Sequence, residues 1–424
     1  MTIEEARTLI RGVEWRGSRP GLSRVRELLH RIGDPQDTLQ FVHIAGTNGK
    51  GSTAAMLAAV LQAAGYTTGL FTSPFLEQFA ERMQVNGQPI PDAELAAACE
   101  TLQPCIAAMD DQPTEFELVT AAAMLWFQRR GCDIVVLEVG LGGRLDATNV
   151  IGAPACAVIT NIGDAHIEFL GSREGILKAK SEIFENLDAD GVAILNGDDA
   201  LLDTVALPQR IVRCGESAHA DVRVSALRDR GIDGIACTVT TARAAYHLRI
   251  PAPGRHMIYA ASLAAAVGEE LGLSVPEIER GVALYEPAGS RMRVHRLSGD
   301  RRLLDDCYNA NPQSMSAALR VLAASEGKKI AVLGDMKELG ELTESAHRAM
   351  GELCALLGID RVIAVGEYAH GIADAAHESV EWYPDAESAV DAARAAFTEG
   401  SVLLCKASHS MHLEKIVEEL LKTT

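Results

Sequence analysis

The sequence predicts an α/β protein: a parallel sheet wrapped by helices, then a smaller unit of the same kind. Three observations predict it. Short apolar, β-branched runs alternate with helical patterns along most of the 424 residues, as expected of parallel strands buried on both faces. One run, "FVHIAG", leads through the glycine-rich turn "GTNGKGST" into an alanine-rich helix. The rhythm then restarts after "YEPAGSRMRV", and the chain is too long for one ordinary core.

In order, the first strands are expected at "FVHIAG", "TTGLFTS", "DIVVLEVG", "ACAVITNI" and "GVAILNGDD". One intervening helix is well punctuated, with Thr114 and Glu117 as a capping box and Gly131 beyond its end. From about Arg210 to Pro251 the pattern becomes alternating Val, Thr and Arg, which predicts an antiparallel excursion. The later strands are "RLLDDCYN", "KKIAVLGD", "DRVIAVG" and "SVLLCKAS". Leu413, Ile416, Val417 and Leu420 stand at helical spacing. A boundary between Pro287 and Ser290 divides residues 1–288 from 289–424, and the second unit is expected to be Rossmann-like.

Composition narrows the function. A formal charge of −19 argues against a nucleic-acid or anionic-membrane partner, since phosphate backbones are held by clustered Lys and Arg. The start "MTIEEARTLI" lacks the layout of a signal peptide, and no apolar run reaches the roughly 18 residues of a membrane span. Nine scattered cysteines include no C-x-x-C, which predicts reduced thiols in a cytoplasm.

In "GTNGKGST", Gly46, Gly49 and Gly51 allow a tight turn whose amides face the start of a helix, a natural anion site. Lys50 adds a point charge for terminal phosphates. The strict pattern G-x-x-x-x-G-K-[ST] fails, because Ile44 takes its first glycine and Gly51 its Ser/Thr position.

The wording of that loop resembles the ATP loop of the Mur ligase superfamily, in its folylpolyglutamate and dihydrofolate synthetase branch. "PGLSRVRELLHRIGDPQ", "TSPFLEQFAERMQVNGQPI", "FELVTAAAMLWF" and "VVLEVGLGGRLDATNV" extend the likeness over about residues 20–200. The resemblance implies ATP-dependent amide synthesis through an acyl phosphate. It implies that Gly46, Thr47, Asn48, Gly49, Lys50, Gly51 and Ser52 bind ATP. Ser73, Glu138 and His166 would contact Mg²⁺. Lys180, by pattern a helix-surface lysine, would be carbamylated and hold a second Mg²⁺, with Lys50, Lys180 and His166 serving catalysis. Carbamylation needs a neutral amine, so burial or neighbouring cations must lower that lysine's pKa.

The second half differs. "LLDDCYNANPQSMSAALRVLA", "AVLGDMKELGELTESAHRAMG", "LLCKASHSMHLEKIVEEL" and "GRHMIYAASLAAAVG" resemble the muramyl-tripeptide:D-alanyl-D-alanine ligases of the same superfamily. By that match Asp306 would hold the ribose and Arg291 the phosphates, while Lys406, Asn309 and Asn311 line the cleft. An asparagine expected near adenine is replaced by Ala260. Only 45 residues precede Gly46, which favours a folate or pteroate acceptor, with "TSPFLEQFAERM" in its pocket, over a UDP-sugar. The expectation is a monomer acting on small molecules and adding glutamate to that acceptor. The alternatives are a Mur-type ligase for another small acid and an amino acid or dipeptide, and a non-catalytic nucleotide binder.

Overall fold

The computed structural model describes residues 1–13, 19, 21–74, 78–163, 172–287, 292–376 and 379–422. His166 and Arg291 lie outside the described residues, as do parts of "TSPFL" and of the Pro287–Ser290 junction.

The strands expected first are all present, as β1 (Phe41–Ala45), β2 (Thr68–Phe71), β5 (Ile134–Glu138), β6 (Cys156–Ile159) and β7 (Val192–Asn196), and two short strands the sequence did not suggest, β3 (Met83–Val85) and β4 (Gln88–Pro89), lie between β2 and β5 in the chain. They continue into β8 (Arg210–Gly215), β9 (Val222–Asp229), β10 (Ile235–Thr240) and β11 (Ala245–Ile250). Among the described residues these form one sheet in the order β11-β10-β9-β8-β7-β6-β1-β5-β2-β3-β4. From β9 to β2 neighbours run parallel. The flanks, β9 to β11 and β2 to β4, are antiparallel. The expected antiparallel excursion is therefore partly corrected. β8 and β9 extend the parallel sheet beside β7, and the pairing turns antiparallel only from β9 to β10 and from β10 to β11.

Every residue of β1, β5 and β7 is buried, because helices cover both faces. Val42 and Ile44 point to a cluster with Met56, Leu57 and Leu263, from the helices Lys50–Ala63 and Met257–Glu270. Phe41 points the other way, toward Leu118 and Ala122 of the helix Glu115–Arg129. Burying each such aliphatic side chain contributes about 1.5–3 kcal/mol. The capping box on the second helix is formed, with Thr114 N donating to Glu117 Oε2 at 2.7 Å and Glu117 N donating to Thr114 Oγ1 at 3.4 Å. Gly131 follows its end with φ of 63°.

The C-terminal sheet is separate. It comprises β12 (Arg293–Leu297), β13 (Arg301–Asp306), β14 (Lys328–Gly334), β15 (Arg361–Val365), β16 (Val380–Tyr383) and β17 (Ser401–Lys406). Its order is β12-β13-β17-β14-β15-β16, parallel except for β12 on β13. The last helix, Glu414–Leu421, buries Ile416, Val417 and Leu420 as its spacing predicts. In both sheets the candidate residues gather at the carboxyl ends of parallel strands, the usual ligand edge of such sheets.

Candidate active site

The glycine-rich turn leaves β1 at Gly46 and enters the helix Lys50–Ala63 with Gly49, at φ of 77°, as its N-cap. Gly46 is indispensable on two counts. Its φ is +147°, and a Cβ there would lie 1.9 Å from Thr160 Oγ1. The turn is tied to the strand end beside it. Thr47 N donates to Asn161 O at 2.9 Å, Asn48 N donates to Asn161 Oδ1 at 2.9 Å, and Thr160 Oγ1 donates to Asn48 O at 2.6 Å. Gly163 N donates to Thr47 Oγ1 at 2.8 Å. Gly51 and Ser52 fall in the helix's first turn, where amide groups without intrahelical partners favour an anion.

Two lysines meet above this turn. Lys50 Nζ donates to the Gly46 carbonyl at 3.1 Å, and Lys180 Nζ donates to the same oxygen at 2.8 Å. Lys180 belongs to the helix Arg173–Ser181 and is only 5% exposed. Burial, and next the charge of Lys50, lower its pKa to about 7, while Asp146 opposes the shift. The surface position that its helical pattern predicted is thus corrected. A depressed amine is what carbamylation requires.

Glu138 ends β5, 2% exposed, and Ser73 N donates to its Oε2 at 3.3 Å. A buried carboxylate beside a buried serine is a hard-oxygen donor pair of the kind that suits Mg²⁺. Among the described residues no group of three or more His, Cys, Asp or Glu side chains is arranged for a metal.

The C-terminal domain closes the site. Asn311 caps the helix Pro312–Ala324 by accepting from Ser314 N, and its Nδ2 donates to Asn48 Oδ1 at 2.7 Å. Asn48 Nδ2 reaches Gln313 Oε1 at 3.4 Å, and Tyr308 OH donates to Ser73 O at 3.2 Å. Lys406 Nζ donates to Asp306 Oδ2 at 2.6 Å and to Asn309 O at 2.8 Å. The facing positions Asp306 and Lys406 on β13 and β17 set this pair in register. Burial raises the Asp306 pKa, and Lys406 works against that rise. Burial, and then the same Lys406, push His256 down to about 4. Ala260 is 5% exposed within the helix Met257–Glu270 and packs in the core of the first domain.

The structure therefore brings Gly46, Thr47, Asn48, Lys50 and Lys180 together, pairs Ser73 with Glu138, and sets Asn311 against the loop. Sequence reasoning assigned no role to Thr160, Asn161, Asp146, Thr148, Tyr308 or Gln313. The first four stand inside or beside motifs already singled out, "VITNI" and "GLGGRLDATNV".

The Mur ligase middle domain matches residues 44–268, and the Mur ligase glutamate ligase domain matches residues 290–409. The chain belongs to the Mur ligase family. This Mur ligase is 47% identical over 174 residues to a dihydrofolate synthase/folylpolyglutamate synthase of Bacillus subtilis (strain 168), covering 40% of each chain. It is 34% identical over 300 residues to the UDP-N-acetylmuramoyl-tripeptide--D-alanyl-D-alanine ligase of the same organism, covering 69% of this chain and 65% of that one. The matches thus span less than two thirds of these relatives. In fold it is similar to a Mycobacterium tuberculosis folylpolyglutamate synthase crystallised with ADP and AMPPCP. The TM-score is 0.82 at 24% identity, over 99% of this chain and 98% of that one.

Proposed function

We propose that this Mur ligase is an ATP-dependent acid–amino-acid ligase that joins L-glutamate to the carboxylate of a folate or pteroate. The observation that carries the reading is the convergence of Lys50 and Lys180 on the Gly46 carbonyl, at a helix N-terminus whose loop the C-terminal domain contacts through Asn48. A triphosphate and a carboxylate must meet there, and the Lys50 ammonium offsets their mutual repulsion. The γ-phosphate passes to the acceptor carboxylate, and the amine then attacks the acyl phosphate and releases phosphate.

Lys50 and the amides of Gly46 to Ser52 bind the phosphates, with Arg291 beside them and Asp306 toward the ribose. Ser73, Glu138, His166 and Lys180, the last as its carbamate, would hold Mg²⁺, whose charge would offset that of the phosphates. Asn309, Asn311 and Lys406 line the far wall. Residues 1–288 and 289–424 act as the two domains, a division supported by the two separate sheets. A cavity of about 380 Å³ is lined by Leu22, Ser23, Arg26, Arg144, Leu145, Asn149, Glu185 and Asn186, and Arg144 there already faces the Glu185 carboxylate at 3.8 Å. The enzyme works as a cytoplasmic monomer on small molecules. No helix among the described residues is long and apolar enough to cross a membrane.

A second reading, a Mur-type ligase joining another small acid to an amino acid or dipeptide, draws on the 34% identity over 300 residues to the UDP-N-acetylmuramoyl-tripeptide--D-alanyl-D-alanine ligase. The test is product mass after incubation with ATP, Mg²⁺, a reduced folate or pteroate and either glutamate or D-alanyl-D-alanine. A glutamyl-folate mass supports the first reading. Conjugation of only a non-folate acid moves the assignment to the second, and ATP binding with no acid-dependent ADP release leaves a nucleotide-binding protein.

A further inference from the structure

One fully buried polar side chain beside the site has no part in the chemistry above. His43 stands in the middle of β1, the strand that delivers Gly46. Its Nε2 lies 2.9 Å from Thr148 Oγ1, and that hydroxyl lies 2.6 Å from Asp146 Oδ1. Asp146 Oδ1 also accepts from Thr148 N at 2.9 Å, and Oδ2 accepts from Leu141 N at 2.8 Å, so its carboxylate acts as an acceptor. A hydroxyl has one proton to give. Thr148 gives it to Asp146 and can then only accept from the imidazole. His43 is therefore the Nε2–H tautomer with a bare Nδ1, and Nδ1 is indeed buried without a hydrogen-bond partner among the described residues.

The other end of this relay reaches the site. Asp146 closes the glycine-rich loop after β5 by holding Leu141 and Thr148. That loop rests directly on the helix bearing Lys180, since a Cβ on Gly143 would lie 2.1 Å from Ala179 O. An orphaned nitrogen in a core strand is unfavourable. A leucine would fill the space without that defect, unless the Nε2–H itself is needed.

We propose that His43 is a positioning residue: through Thr148 and Asp146 it fixes the glycine-rich loop against the phosphate-loop strand, and so holds Lys180 over the Gly46 carbonyl. The kinetic part of the test rests on the ligase reading; the spectroscopic part does not.

In the whole protein, ¹⁵N NMR of the histidine rings is expected to show His43 protonated at Nε2 and bare at Nδ1, and a proton on Nδ1 overturns the relay. His43→Leu is expected to fold, to keep its ATP KM within about twofold, and to lose kcat by roughly ten- to a hundredfold, the usual effect of misplacing a site by about 1 Å. His43→Gln, whose amide can donate from nearly the Nε2 position, should recover most of that loss. Equal impairment of the leucine and glutamine variants, or full kcat in His43→Leu, rejects the proposal. Should His43→Leu not fold, Thr148→Val cuts the relay from its other end and must show the same kcat loss, with unchanged kcat again rejecting it. If the unaltered protein turns over no acid and amine, the ligase reading fails, and the NMR result alone decides the relay.

Discussion

Lys50 and Lys180 share a single acceptor, the carbonyl oxygen of Gly46, at 3.1 and 2.8 Å. One comes from the helix that follows the phosphate loop and the other from a helix far along the chain. Two like charges at one oxygen repel, and that repulsion adds to burial in lowering the pKa of Lys180. On the proposed reading Lys50 serves as the cation for phosphate, and Lys180 is the amine available for modification.

Replacing Lys50 with alanine should leave the fold intact, because its partner is a loop carbonyl and not the core. ADP formation at saturating ATP is expected to drop by roughly a hundredfold or more, the scale of losing one charge-stabilising donor. Near-normal ADP release from Lys50→Ala would remove the phosphate role.

Lys180 gives a pH signature in stability. Its folded pKa is lowered to about 7 from 10.5. Between these values the unfolded chain keeps a proton that the native state has released, so this site makes stability rise with pH across that window. Below about pH 7 both states are protonated and the penalty of the buried charge is fully present. Urea unfolding of the unaltered protein and of Lys180→Met at pH 7 and pH 9 isolates the effect. The unaltered protein should gain on the variant at the higher pH, and parallel curves refute the depressed amine. Lys180→Ala should also lose most ligase activity, with partial rescue by a small added carboxylic acid, and full activity without rescue would return Lys180 to a structural role.

Gly46→Ala tests the close approach to Thr160. The new methyl group meets Thr160 Oγ1 at 1.9 Å and sits at φ of +147°, so destabilisation above about 2 kcal/mol is expected. Adding Thr160→Ala relieves the contact but not the dihedral, so thermal unfolding of the double variant should recover only part of the loss.

Asn311 has two separable functions. Its side chain caps the helix Pro312–Ala324 and donates to Asn48 across the domain boundary. Asn311→Ala removes both and should cost about 1 kcal/mol through the cap. Asn311→Ser keeps the cap and breaks only the contact with the loop. The serine variant should unfold like the unaltered protein yet show a higher KM for ATP. An unchanged KM would mean that the domain contact does not support the nucleotide loop.

Much of the fold was legible because its strands are apolar on both faces, as Phe41–Ala45 and Ile134–Glu138 are. The stretch from Arg210 misled because alternation also describes β8, a strand paired in parallel on both sides but with partly exposed residues along it. In the site, residues carried by contiguous motifs were readable, and those defined by distant pairing were not. Lys180 occupies an ordinary-looking helical position, and its burial depends on the glycine loop that packs against its helix. The link from Asn48 to Asn311 joins residues 263 positions apart, and nothing local to either asparagine marks the other as its partner.

The polar joint at the phosphate loop also bears on modularity. Asn48, Asn311 and Gln313, with the Tyr308 hydroxyl on the Ser73 carbonyl, form a compact set of contacts between two separate sheets. Arg296 Nη2 adds a hydrogen bond to Asp233 away from the loop, so a C-terminal half transplanted from another family member would have to match both places to dock. A hybrid built at this joint would report which half selects the acceptor acid and which the incoming amine.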